Sequence, residues 1–457
     1  MAGIGFELKR ILNRQTFLAD MTAYLYAAMV SSGPWLMSII CLAVLGVYHS
    51  TKLGGLNHDL FRTTVVYTYA FSLIMVGIVQ MIATRYMADR MYEKKTDLIL
   101  PTLYTCALMV LVAGTAFSVC GYFFCKVTLL HKFLGVLLFL VTSLIWLCMI
   151  FLSAIKDYNG IVNAFALGAV ISIAAAICLG RPMGTEGYLA GYLLGQWVTL
   201  FWIMAKVCVE FPPRMAWNPD FMKYFKQYWD LVGIGFLFNL GIWIDKIMFW
   251  LAPDARVIVP LFTTHDIYEG PVFFAYLTIV PAMAIFLLKI ETAFYQHYRQ
   301  YYAKVVGKRS LTDILAEKAT MVNALKSSLR DVFVIQGTVS VLCIVFAPWM
   351  IKWINLSSVQ IPLFQILLIG SFLQVLLLIN VIILFYFDLR RQVLIVSIVF
   401  VAGNAGLSVL SIWLGLPFYG YGYTYGCLIA LMVAFHQLNA NVEDLEYLTF
   451  ALQPVTA

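Results

Sequence analysis

Charge is scarce in this chain. Asp, Glu, Lys and Arg make up 12% of its 457 residues, against about 25% in ordinary soluble domains. A soluble globule would need charges spread through every element, so that class is excluded. Nine cysteines are present, but none forms a Cys-x-x-Cys pair. No polar loop gathers thiols or histidines, which excludes a disulfide framework and a structural zinc centre. The cysteines fall in or at the ends of apolar runs and read as packing residues. No P-loop, glycine-rich nucleotide fingerprint, zinc motif or nucleophile elbow occurs. ATP hydrolysis within the chain is therefore not expected, and no catalytic residue, metal or other cofactor is predicted.

Hydrophobic residues supply 62% of the chain, and they come in long runs that leave no room for a folded catalytic domain. About 20 apolar residues cross the hydrocarbon core of a bilayer as a helix. Six such runs lie at about 21–48, 63–86, 101–125, 130–154, 160–180 and 187–208. Six more lie at about 229–252, 271–295, 331–354, 362–387, 392–415 and 418–440. Lipid offers the backbone no hydrogen-bond partners, so spans of this kind are helices. The expected fold is an all-α polytopic membrane protein of twelve transmembrane helices in two six-helix lobes.

The formal charge of +7 would suggest nucleic acid in a soluble protein. Here the placement of the basic residues matters instead, and the partner it implies is the lipid bilayer, with no nucleic acid. With the N-terminus inside, 21 of the 30 lysines and arginines fall on the inner face. That bias predicts an inner-membrane orientation with both termini cytoplasmic. The first apolar run is too long for a signal-peptide core, so it is expected to stay attached.

Residues 1–20 form an amphipathic surface segment, with Ile4, Leu8, Ile11, Leu12 and Leu18 set among Lys9, Arg10 and Arg14. Its plain reading is an anchor. In the first span, Ser31-Ser32-Gly33-Pro34-Trp35 places a helix-breaking proline mid-membrane, so Gly33 and Pro34 mark a kink. The lobes are 21–208 and 229–440. The link at 209–228, with Pro212, Pro213 and Pro219, reads as a cytoplasmic connection between them, and 441–457 as a cytoplasmic tail. Such a division fits a transporter built on internal repeats. Ser310 with Asp313 forms a capping pattern that opens an amphipathic cytoplasmic helix over 310–330. That helix suits either the membrane surface or a cytoplasmic partner.

Ionisable groups inside a span cost roughly 2.5–3.5 kcal/mol on insertion scales, so each is a candidate for a role. The clearest are Asp245 and Lys246 in the seventh span. Neighbours on a helix point about 100° apart, so Asp245 is expected to seek a cation on another helix and Lys246 to snorkel outward. Glu269 brackets the eighth span at its outer end, Lys289 and Glu291 near its inner end, and Pro281 should bend it between them. Arg62 and Arg85 cap the second span. Tyrosine clusters at 295–302 and 419–425 are weaker candidates for stacking on sugar rings. In the outer loop at 253–270, Asp254, His265, Asp266 and Glu269 could do acid-base chemistry, though a solvated loop is the simpler reading.

The opening Met1-Ala2-Gly3-Ile4-Gly5-Phe6-Glu7-Leu8-Lys9-Arg10, followed by Ser31-Ser32-Gly33-Pro34-Trp35, resembles the start of the bacterial Pel-type exopolysaccharide transporters. Tyr276-Leu277-Thr278-Ile279-Val280-Pro281 and Glu291-Thr292-Ala293-Phe294-Tyr295 look like that family too. The resemblance implies a member of the multidrug/oligosaccharidyl-lipid/polysaccharide (MOP) flippase superfamily, MATE-like, with two lobes around a cavity. It implies a growing polymer rich in N-acetylgalactosamine as substrate. The implied partners are a cytoplasmic glycosyltransferase and membrane partners that sense cyclic di-GMP. No catalytic positions carry over, while charges in the seventh span match a habit of flippase relatives. An ion-coupled drug exporter of the same superfamily, a membrane-embedded glycan polymerase and a non-transporting synthase scaffold are the alternatives.

Overall fold

The computed structural model describes Tyr24, residues 26–29, 32–33, 37–46, 56–155, 157–211, 217–354 and 356–450. The N-terminal surface segment, Pro34, the Pro212-Pro213 portion of the link and the last residues of the tail lie outside the described residues.

The first labelled helices are α1 (Met37–Gly46), α2 (Leu56–Tyr92), α3 (Ile99–Phe124), α4 (Leu129–Ile155), α5 (Tyr158–Glu210) and α6 (Phe221–Gln227). Next come α7 (Trp229–Trp250), a hairpin of β1 (Arg256–Val259) and β2 (Phe262–Thr264), α8 (Asp266–Leu277) and α9 (Val280–Lys289). The chain closes with α10 (Tyr295–Val306), α11 (Leu311–Trp353), α12 (Gln360–Tyr386), α13 (Arg390–Leu414), α14 (Tyr421–Glu443) and α15 (Leu445–Phe450). Among the described residues, ten helices are long and apolar enough to cross a membrane. One of them, α5, is two helices joined across Gly184, whose backbone sits at φ 62° just after Pro182. A left-handed residue there suits glycine, which has no Cβ to clash.

The described residues form two compact units. One holds the chain up to Tyr228 together with 256–264 and 280–336; the other holds 229–255, 265–279 and the chain from Gly337 onward.

In the first unit α2, α4 and α5 pack together and α3 lies against α4. The two halves of α5 meet through small side chains. Gly187, Gly191 and Gly195 recur every fourth residue and face Gly168, Ser172, Ala176 and Gly180, which do the same. A Cβ on Gly191 would fall on the backbone of Ala175 and Ala176. Without a hydrophobic force between helices in lipid, such close approach supplies the attraction. The hairpin belongs to this unit, with Phe262 edge-on to the rings of Tyr67 and Tyr122.

In the second unit α13 packs on α7 and α14, α12 on α14 and α8. The same device appears: a Cβ on Gly422 or Gly426 would strike α13 at Leu407 and Ser408 or at Asn404.

Three expectations change. The helix α2 runs past both ends of the predicted second span, so Arg62 and Arg85 lie inside it and do not cap it. The helix predicted over 310–330 and the predicted ninth span form one continuous helix, α11, because nothing between Leu311 and Ala347 breaks the ladder. Its Ser310 cap is present, accepting from the Asp313 amide at 3.2 Å. Finally, the predicted loop at 253–270 carries a hairpin, whose Val257-Ile258-Val259 and Thr263-Thr264 are β-branched residues suited to strands. Near Pro281 the helix is interrupted at Thr278-Ile279, between α8 and α9, and proline is tolerated in the first turn that follows.

Candidate functional site

The second unit buries one charge pair inside an apolar helix. Asp245 is fully buried and Lys246 is 5% exposed. The Lys246 chain curls back along α7, so that Nζ donates to the Ile242 carbonyl at 2.8 Å and reaches both Asp245 oxygens at 3.0 Å. It also donates to the Tyr276 hydroxyl at 2.5 Å. The consecutive pair is therefore internal, contrary to the expected divergence and outward snorkelling. The physical reason is the length of the lysine stem: four methylenes span the angle between neighbours, and turning inward spares an unpaired charge in the core.

Tyrosines complete the shell. The Tyr268 hydroxyl donates to Asp245 Oδ2 at 2.7 Å, and its ring is stacked on Phe249 with centroids 3.7 Å apart. The Lys246 ammonium stands 4.4 Å from the Tyr276 ring centroid and 5.5 Å from that of Tyr423, within reach of a cation–π attraction. The Tyr423 hydroxyl donates to Gln374 Oε1, and Gly370 leaves room for the Tyr423 ring. Helices α7, α8, α12 and α14 thus each contribute to a net-neutral polar centre. None of the tyrosines or Gln374 was picked out as a partner of the pair from sequence. The signal available was polar tips at buried positions of apolar helices.

Beyond the C-terminal end of α7, Glu269 accepts from Trp250 Nε1 at 2.7 Å and from the His265 amide at 3.3 Å. His265 is buried, and its Nε2 lies 3.1 Å from Asp254 Oδ2, which also accepts from the Tyr419 hydroxyl at 2.7 Å. Only His265 of these loop residues is packed, while Asp254 is half-exposed and Asp266 exposed, so the solvated reading changes at His265 alone. Burial pushes the Asp254 carboxyl up, but the bond from Tyr419 and the facing His265 outweigh it and hold it below its ordinary 3.8.

The other candidates have surroundings of their own. Lys289 is bonded to Asp331 at 3.0 Å in the first unit. Arg62 donates to Thr264 at 3.4 Å, while Arg85 bonds Asp89 at 3.4 Å and lies over the Tyr228 ring. The backbone of Glu291 lies in a π-helical turn at Ile290–Phe294, Gly33 is helical, and Pro281 sits in the first turn of α9. Of the two tyrosine clusters, Tyr301 and Tyr423 are buried, whereas Tyr421 and Tyr425 are exposed. A cavity of about 380 Å³ lies beside Gln296, Arg299, Gln300 and Ala303 on α10.

The sequence pattern of the PelG exopolysaccharide exporter family (EPS-E) matches residues 1–450. The chain belongs to the PelG family. Among curated proteins no match is found. Solved structures of similar fold include a variant of the MATE transporter VcmN from Vibrio cholerae, at 13% identity and TM-score 0.68, covering 96% of this chain and 98% of that one. A MOP superfamily transporter from Pyrococcus furiosus has 14% identity and TM-score 0.63, covering 93% and 96%. An outward-facing multidrug resistance MATE transporter gives the same values. This PelG member is thus a multi-pass membrane transporter of the MOP fold, and its family is one of polysaccharide exporters.

Proposed function

We propose that this chain carries a growing Pel-type exopolysaccharide, rich in N-acetylgalactosamine, from the cytoplasm to the periplasm for a biofilm matrix. The observation that carries this reading is the family match over nearly the whole chain. In this reading the protein sits in the bacterial inner membrane with both termini inside. Twelve spans form lobes at 21–208 and 229–440, joined through 209–228. It performs no catalysis. A cytoplasmic glycosyltransferase supplies the polymer, cyclic di-GMP-sensing membrane partners regulate it, and the first turns of α11 give such partners a docking surface.

Within this proposal Asp245 and Lys246 form the polar centre of the translocation path, while Glu269, Lys289, Glu291, Arg62 and Arg85 are secondary candidates. A neutral, tyrosine-lined centre suits an uncharged sugar, whose hydroxyls exchange hydrogen bonds with tyrosine and amide groups and whose C–H faces stack on rings. An ion-coupled drug exporter would need an available buried carboxylate, and Asp245 already holds Lys246.

The decisive experiment is reconstitution of the chain with its glycosyltransferase in vesicles. Labelled polymer should accumulate across the membrane only when both are present. Polymer crossing without this chain would leave it as a scaffold, and proton- or sodium-driven efflux of organic cations would favour the drug exporter.

A further inference from the structure

Four oxygen atoms converge on the Lys246 ammonium: both carboxylate oxygens of Asp245 at 3.0 Å, the Ile242 carbonyl at 2.8 Å and the Tyr276 hydroxyl at 2.5 Å. Three aromatic rings, those of Tyr276, Tyr423 and Trp243, flank it at 4.4, 5.5 and 5.9 Å from their centroids. Carboxylate, carbonyl and hydroxyl oxygens around one point, with ring faces beside them, are the ligands that hold a free cation. Tyr268 separately fixes Oδ2 of Asp245 at 2.7 Å, and its own ring is fixed by Phe249. These oxygens are held by α7 and α8 and by their packing, so their placement does not depend on the lysine stem alone.

We infer that the Lys246 ammonium is a tethered counter-ion filling a monovalent cation site, and that removing it converts the site into one that binds a free monovalent cation. Charge decides the valence: one buried carboxylate balances one positive charge, and a divalent ion would leave an uncompensated charge in a low-dielectric core. The wild-type protein then requires no mobile cation here. If the pair lines the export path, as proposed above, export is uncoupled from cation gradients through this site; that extension rests on the export reading, whereas the cation site does not.

The test uses purified full-length protein in detergent and follows thermal unfolding in sodium, potassium, ammonium or choline chloride at constant ionic strength. Wild type should unfold at the same temperature in all four. Lys246→Ala should show a saturable rise of at least ~2 °C in one of the small cations over choline, as expected for a ligand that binds only the folded state. The double variant Asp245→Asn/Lys246→Ala, which removes both charges, should lose that response. A folded Lys246→Ala with no cation-specific rise overturns the inference, as does an equal rise in the double variant. If Lys246→Ala folds in none of the salts while the double variant folds, the inference also fails, because a cation able to fill the site should rescue the single variant. If neither folds, Lys246→Met is read instead, and the same absence of a cation-specific rise, or of folding in any salt, overturns the inference. Polymer export enters none of these readouts, so failure of the export proposal and failure of this one are separable.

Discussion

Lys246 and Asp245 are adjacent in sequence, yet the lysine bonds its own neighbour, with Nζ 3.0 Å from each carboxylate oxygen and both side chains buried. An ion pair closed within one helix needs no charge from elsewhere, and its tyrosine shell leaves the centre neutral but polar. Loss of Asp245 strands the lysine in a buried site, and loss of Lys246 leaves the carboxylate without its tethered counter-ion. Removing one partner of a buried pair typically costs about 3–5 kcal/mol. Asp245→Asn and Lys246→Ala are each expected to reduce polymer export while membrane insertion stays intact. Secreted polymer, normalised to the protein recovered in the membrane, measures this. Unchanged export in both variants would remove the pair from the path.

The close seam within α5 gives a second expectation. Gly191 faces the backbone of Ala175 and Ala176, so Gly191→Val has no rotamer that fits without separating the two half-helices. Overpacking of a tight contact costs about 1–3 kcal/mol. A lower unfolding temperature in detergent should follow, whereas Gly121→Val, with nothing near its Cβ, should change little. Equal melting of the two variants would refute the seam.

Tyr67 holds the hairpin. Its hydroxyl donates to the Thr263 carbonyl at 3.0 Å and accepts from the Thr263 amide at 3.2 Å. Tyr67→Phe keeps the ring contact with Phe262 and removes these bonds, at a cost of about 1–3 kcal/mol for the stranded partners. Hydrogen exchange read by mass spectrometry should speed up at 256–264 and stay constant in α14.

Asp254 sets a pH dependence. Its carboxyl titrates below the ordinary 3.8 in the folded chain, so the unfolded chain binds more protons over that interval. Its stabilisation is therefore complete above about pH 4 and is lost as the pH falls through the folded value. Melting followed from pH 6 down to pH 3 should show a steeper acid decline in wild type than in Asp254→Asn. Parallel curves would show that the Tyr419 and His265 contacts contribute nothing.

Hydropathy alone determined the class of this protein, because crossing a bilayer is a local demand on length and apolarity, but it did not fix the ends of α2 and α11. The positions of Asp245 and Lys246 were legible for the same reason, since charge inside an apolar run stands out. The four-residue glycine spacing at Gly187, Gly191 and Gly195, and at Gly422 and Gly426, was also present in the sequence, but spacing does not say which helix a small face meets. Tertiary structure decided the rest. It turned Lys246 inward, set Tyr268, Tyr276 and Tyr423 around the pair, and buried His265 against Asp254. Those outcomes depend on side chains brought together from helices far apart in the chain, and no local periodicity encodes which of several polar partners a long, flexible side chain will reach.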